Sequence, residues 1–284
     1  MIAQFSAIDS RSQAKEAFDK NCFFVARGII DTDIVDTCIS DIGDVFRQQL
    51  QARNLPAAKD LFLNAKHLHG VDIEQFKKVL ASLWRLQSVS TLLNNSSIQH
   101  FLKTVLDFGT VFVPGGQTVH IQSAELKIPN GYFGLPAHQD WPSVQGSMDG
   151  VGVWIPLCVI DEYAYPLEII SGSHHQGLLA PENKTADSIW SIETSDDAAF
   201  ESVCVAPGDV VFFSNFLVHR SGMNGRPDFM RIACSSRFDN GGDPSFISRG
   251  LPTAYSRSVN RKLMDFSDVD AVNLALAADH VKRK

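Results

Sequence analysis

The sequence predicts a mainly β protein with helical flanks, its core an antiparallel sandwich or barrel. Two observations carry that prediction. From about residue 109 to 240 the text falls into short apolar runs punctuated by Gly, Pro, Asn and Asp, the texture of many short strands with few helices between them. Up to about residue 108 the apolar residues recur instead with a helical period. No repeat or low-complexity linker divides the 284 residues. They are read as a single domain 1–284, with a helical N-terminal part (about 1–108), a β core (about 109–240) and a C-terminal tail (about 241–284).

Taken in order, Cys22-Phe23-Phe24-Val25-Ala26 reads as a short buried strand. Asp31 then reads as the N-cap of an amphipathic helix whose apolar stripe runs through Ile34, Val35, Cys38, Ile39, Ile42 and Phe46. Helices are predicted over 72–93, marked by Leu80, Leu83, Leu86 and Val89, and over 96–107. Strands are predicted over 110–114, 118–127, 150–156, 166–170, 201–205, 209–216 and 230–238. The stretch 261–284 returns to a helical pattern with a basic end, Lys282-Arg283-Lys284.

Composition narrows the function. Apolar residues make up 44% and charged residues 20%, ordinary for a globular protein. A net charge of −7 argues against nucleic acid as a partner, which needs a basic face. No apolar run reaches the ~18 residues of a membrane span. The polar, mixed-charge N-terminus does not read as a secretory signal. The five cysteines (Cys22, Cys38, Cys158, Cys204 and Cys234) are odd in number, widely spaced and set in apolar text. That pattern predicts reduced, buried thiols in a cytoplasmic protein. Oligomeric state is not legible.

The chemistry concentrates in Ala137-His138-Gln139-Asp140-Trp141. On a strand, side chains two apart share a face, so His138 and Asp140 aim at one point while Gln139 faces away. An imidazole and a carboxylate suit the 2-His-1-carboxylate triad of Fe(II), which leaves open positions on one side. A lone His-x-Asp is weak evidence and needs a second histidine. His219 supplies one, at the end of the apolar run that follows the Pro207-Gly208-Asp209 turn. Arg231 lies about as far beyond the Gly225 turn as His219 lies before it, so a hairpin is predicted to set the two opposite one another. An inward arginine needs an anion; either a diacid co-substrate or a nearby carboxylate such as Asp228 answers that need. Ser221, two beyond His219, offers a hydroxyl donor. His174 and His175 read as turn residues, and His67 and His69 as loop or surface residues.

With these residues in place the sequence resembles the phytanoyl-CoA dioxygenase (PhyH) family of Fe(II)/2-oxoglutarate oxygenases. The resemblance runs through Asn21 to Gly28, His138 to Trp141, Val153 to Leu157, Ser171 to His174, Pro207 to Val210, His219 to Ser221 and Arg231. It implies a double-stranded β-helix (jelly-roll, cupin-like) core. It further implies Fe(II) on His138, Asp140 and His219, 2-oxoglutarate held at its distal carboxylate by Arg231 and Ser221, and O2 as oxidant. Trp154 matches a position lining the co-substrate pocket, or is a plain core tryptophan. Gln122 and Lys127, on the preceding strand, reach the co-substrate or else point outward. Trp141, Tyr132 and Gln145 are candidate substrate contacts or rim packing. The carboxylate at 140, which halogenating relatives lack, favours hydroxylation or a related oxidation.

Two departures from the family pattern stand out. Ser171-Gly172-Ser173-His174 replaces Pro-Gly-Ser-His, and Tyr165 replaces a glycine that often stands two before the leucine of the preceding strand. Flexible rim loops are expected at 128–136, 141–149 and 178–200. The expected substrate is a small polar metabolite, biosynthetic or carbohydrate-related, since no basic patch suits coenzyme A. The competing readings are a cupin-like metalloenzyme without 2-oxoglutarate and a non-catalytic jelly-roll binding protein.

Overall fold

A computed structural model describes residues 4–6, 11–129, 133–180, 191–194 and 199–255. The chain divides into units Met1–Ala254 and Tyr255–Lys284. The predicted helical tail over 261–284 lies outside the described residues.

Two antiparallel sheets face one another. The larger has the order β1 (Gln4–Ser6), β2 (Phe23–Arg27), β8 (Val210–Ser214), β5 (Val151–Pro156), β10 (Arg231–Asn240) and β3 (Val111–Phe112), with β4 (Thr118–Gln122) also pairing with β10. Only β1 and β2 run parallel among its named pairs. The smaller sheet is β7 (Glu201–Val203), β6 (Leu167–Ile169) and β9 (His219–Ser221).

Side-chain alternation gives each central strand two jobs. Val153, Ile155, Val210, Phe212, Ile232 and Cys234 point outward into a helix-covered core, while Trp154, Val211, Phe213 and Ala233 point inward against Leu167, Ile169 and Val203 of the small sheet. Strands buried on both faces read as continuous apolar runs, which is why 150–156 and 209–216 were legible.

The outer face of the large sheet carries the helices. α2 (Thr32–Gln51) is capped as predicted, Asp31 accepting from Asp33 N, and buries Val35, Cys38, Ile42, Phe46 and Leu50. Phe24, Phe101 and Phe212 stack between sheet and helices, with ring centroids 5.0 and 5.5 Å apart. The helix predicted over 72–93 is three pieces: α4 (Ile73–Leu80), a 3-10 turn (Leu83–Arg85) and α5 (Gln87–Leu93). Ser82 turns its hydroxyl back onto Val79 O and Leu86 is extended, so the axis bends while Leu83 and Val89 stay buried. The helix predicted over 96–107 is α6 (Ser96–Thr104). α1 (Arg11–Asn21) and α3 (Leu61–Val71) were not foreseen. Among the described residues no helix is long and apolar enough to cross a membrane.

Two further expectations fail. His219 and Arg231 are not hairpin partners: β9 belongs to the small sheet and β10 to the large one. The segment 222–230 crosses between the sheets, pinned where Gly225 lies flat on the buried Tyr165 ring. The cysteines are all free, but Cys204 is exposed and Cys158 only half-buried, because both fall where strands give way to loops.

Candidate metal centre and co-substrate cavity

His138 and His219 are locked together by the backbone. His138 N donates to His219 O at 3.0 Å and His219 N donates to His138 O at 3.1 Å, and the ring centroids stand 4.2 Å apart. Further along, Ser221 N donates to Leu135 O at 3.0 Å, so one strand has two residues between the linked positions where the other has one, a bulge. Each imidazole Nδ1 donates to a carbonyl two residues back, at Pro136 O (2.8 Å) and Leu217 O (3.0 Å). A carbonyl only accepts, so Nδ1 carries the hydrogen and Nε2 of the neutral ring keeps its lone pair. Burial, then the neighbouring His138, pushes His219 down to about 3, which holds it neutral.

Asp140 completes the group, its oxygens 3.7 Å from His138 Nε2 and 4.0 Å from His219 Nε2. The three ligand atoms lie within 4.8 Å of one another, and all three residues are buried. Strand alternation is not the cause, because Asp140 has helical backbone and caps the short helix α7 (Trp141–Val144). Gln139 faces away, as predicted: its amide donates to Gly177 O and Phe216 O and accepts from Leu179 N.

Arg237 grips the carboxylate. Its Nε donates to Asp140 Oδ2 at 2.9 Å and its Nη2 to Oδ1 at 2.7 Å, a two-pronged contact between buried groups. Burial alone would raise the Asp140 carboxyl; Arg237, His138 and His219 together hold it well below the usual carboxylate range. Two imidazoles that present Nε2 and an ionised carboxylate are the donor set that suits Fe(II).

Beside this group lies a cavity of about 20 Å³, lined by His120, Leu135, Trp154, Phe213, Ser221, Arg231 and Arg237 among others. It has room for about one ordered water, so a dicarboxylate enters only as lining side chains draw back. Arg231 is 2% exposed; its Nη1 donates to Tyr165 O at 2.8 Å, and its guanidinium sits 5.8 Å from the Trp154 ring. Ser221 Oγ accepts from Leu135 N at 3.0 Å and keeps its own hydrogen to donate. Gln122 stands opposite Arg231 in the β4–β10 register. Its Nε2 donates to Gly222 O, while its buried Oε1 has no hydrogen-bond partner.

The remaining predicted residues scatter. Lys127 is exposed, its ammonium 5.4 Å over the Phe133 ring, and lines a larger outer groove with Ser221 and Arg220. Trp141 stacks on Phe216 at 5.6 Å, with its indole N–H buried and without a hydrogen-bond partner. Gln145 is exposed and donates to Pro142 O within its own turn. Tyr132 lies outside the described residues, as does part of 178–200.

The rim 141–149, expected to be flexible, is tied down by the end of β10. Ser147 N donates to Asp239 Oδ1 (3.0 Å), Asn240 N to Ser147 Oγ (2.9 Å), Asn240 Nδ2 to Asp149 Oδ2 (2.6 Å), and Met148 N to Asp243 Oδ2 (2.8 Å).

Three residues were missed or left unexplained by the sequence reasoning, Tyr165 being noted there only as a departure from the family pattern. His120 faces the cavity, with Nε2 2.8 Å from Ser235 Oγ; burial, then Arg231 and Arg237, pushes it down to about 3. Tyr165 has left-handed backbone (φ 53°), the conformation a glycine adopts without cost, which explains the glycine often found there in the family. The third is Arg237, and its even spacing from Arg231 was the available signal.

A buried imidazole pair and carboxylate at the mouth of a double-stranded β-helix, facing an enclosed arginine, make this an Fe(II)/2-oxoglutarate-dependent oxygenase of the jelly-roll class. Within that class, the family model for phytanoyl-CoA dioxygenase (PhyH) matches residues 18–233, and the chain belongs to that family. No curated protein matches in sequence. Solved structures share the fold. The non-haem monooxygenase ThoJ aligns with TM-score 0.55 at 15% identity, covering 94% of this chain and 95% of that one. The epimerase SnoN, in complex with Fe3+, α-ketoglutarate and nogalamycin RO, aligns with TM-score 0.54 at 14% identity, covering 90% and 93%. EctD from S. alaskensis, with 2-oxoglutarate and 5-hydroxyectoine, aligns with TM-score 0.53 at 17% identity, covering 83% and 77%.

Proposed function

We propose that this chain hydroxylates an unactivated C–H bond of a small polar metabolite, biosynthetic or carbohydrate-related. In this reading His138, Asp140 and His219 hold the iron, and Arg231 with Ser221 holds the distal carboxylate of 2-oxoglutarate. The supporting observation is one cavity whose wall holds two of the three clustered ligand residues, His138 and His219, together with the buried guanidinium of Arg231. Bound iron supplies the oxidising chemistry, in which 2-oxoglutarate and O2 are consumed to give succinate and CO2 as the substrate is hydroxylated. The rest is the work of the chain. The two carbonyl-pinned imidazoles present Nε2 without further adjustment. Arg231 gives a carboxylate two parallel donors, which lysine does not reproduce. Ser221 donates its hydroxyl hydrogen to the same anion. Trp154, Phe213 and Leu135 give the cavity apolar walls. Trp141, with its unanswered indole N–H, is the substrate-side contact in this reading. Five free thiols favour a reducing compartment, the cytoplasm.

The test runs under argon. Fe(II) and 2-oxoglutarate added to the protein should give a weak visible charge-transfer band; a spectrum unchanged by 2-oxoglutarate overturns the reading. Oxygen and a metabolite panel then follow, with succinate and product mass as readouts. The expected product carries one added oxygen atom. A rearranged product of unchanged composition would replace hydroxylation with the kind of reaction named for SnoN.

A further inference from the structure

We propose that Arg237 is a positioning residue of the metal centre, restricting Asp140 to coordination through a single oxygen and so keeping one iron position open for the reaction. This rests on the assignment of iron to His138, Asp140 and His219.

The argument is geometric. Arg237 places one N–H on each oxygen of Asp140, at 2.9 and 2.7 Å. A two-pronged contact of this kind approaches a carboxylate along the edge where lone pairs of both oxygens run side by side. A metal chelated by both oxygens would approach along that same edge. With the guanidinium there, an ion between the two Nε2 atoms takes one oxygen only. The facial triad depends on this, since its use lies in the positions it leaves open. Two histidines and a one-oxygen aspartate fill half of an octahedron, and a 2-oxoglutarate chelate fills two of the remaining places. A chelating aspartate would take one of those three remaining places, leaving 2-oxoglutarate and oxygen to compete for the other two.

The fork is itself held. Arg237 Nη1 donates to Ser235 Oγ at 3.1 Å, two residues back on the same face of β10, and that oxygen lies 2.8 Å from His120 Nε2. The Arg237 side chain is 11% exposed and that of Asp140 5%, so solvent weakens the contact little.

The test uses the full chain with Arg237→Gln, Arg237→Lys and Arg237→Gly, and with Asp140→Ala as control. Ni(II) affinity and 2-oxoglutarate affinity on the Ni(II)-loaded protein are measured by calorimetry. Nitric oxide uptake by the Fe(II)- and 2-oxoglutarate-loaded protein is read by electron paramagnetic resonance. Arg237→Gln should melt several degrees lower, because it leaves a buried carboxylate without its partner, yet keep most of its Ni(II) affinity. It should bind 2-oxoglutarate about tenfold or more weakly and take up less nitric oxide. Millimolar guanidinium should restore both in Arg237→Gly. Should Arg237→Gln fail to fold, Arg237→Lys carries the same expectation, because lysine offers a point charge and no fork. The proposal is overturned if a folded variant keeps wild-type 2-oxoglutarate affinity and nitric oxide uptake. It is equally overturned if metal binding, co-substrate binding and melting temperature fall together without guanidinium rescue. Asp140→Ala separates the two levels: undiminished Ni(II) affinity there defeats the metal assignment itself.

Discussion

Replacing Gly152 with alanine tests how the sheet holds His219. Gly152 on β5 pairs with Phe213 on β8, and a methyl there would stand 2.6 Å from the Phe213 ring. Ordinary carbon–carbon contact is ~3.5 Å, so the ring must retreat by about 0.9 Å. The centroid of the same ring lies 4.8 Å from that of His219, so a shift of the ring bears on the imidazole. Overpacking of this kind costs about 1–3 kcal/mol of stability, and a ~1 Å misplacement of a working group costs about 100-fold in rate. Gly152→Ala should therefore melt several degrees lower and bind Ni(II) at least tenfold more weakly, read by differential scanning calorimetry and isothermal titration. Adding Phe213→Leu should recover much of the metal affinity by making room. A variant that loses stability but keeps wild-type Ni(II) affinity would refute the idea that Phe213 buttresses the imidazole.

Two other outcomes follow from the same coordinates. Arg231→Lys keeps the charge but loses the planar fork, so 2-oxoglutarate affinity should fall about 10²-fold while Ni(II) affinity changes little; equal losses of both would count against the clamp. Acid stability separates two buried groups of opposite sign. His120 is pushed down to about 3 from 6.5, so the unfolded chain binds a proton the native state refuses; its contribution is present above 6.5 and lost as pH falls. Asp239 is raised by burial from 3.8 to about 6, so its contribution is present below 3.8 and lost as pH rises through 6. Between about pH 7 and about pH 4.5, His120→Gln should be less acid-sensitive than wild type and Asp239→Asn more so, by urea midpoint; the reverse order would refute both assignments.

Much of the site was legible because buried chemistry leaves polar letters in apolar text. His219 stands out at the end of Val210–Val218, and Arg231 at the start of a run that must enter the core. His138 and Asp140 were found for an incomplete reason: the chain leaves extended conformation at Asp140, and a helical turn makes the pair converge. The false hairpin came from treating nearness in sequence as pairing, when 222–230 passes from one sheet to the other. Arg237 was overlooked although Arg231, Ala233, Ser235, Arg237 and Asp239 share one face of β10. His120 was hidden because a half-apolar edge strand gives no sign of which face meets a cavity. The fixed rim was illegible for another reason, since its anchors, Asp239 to Asp243, come from far along the chain.

β10 runs unbroken for ten residues, Arg231 to Asn240. At ~3.4 Å per residue it is a ruler about 30 Å long, with both arginines and the loop-anchoring aspartate marked at odd graduations. Lengthening it by one residue between 231 and 237 would reverse the parity of everything beyond the insertion, turning one guanidinium into the helical layer while the other stayed inside. Drift in this enzyme is therefore constrained in steps of two along that strand, whatever its loops do.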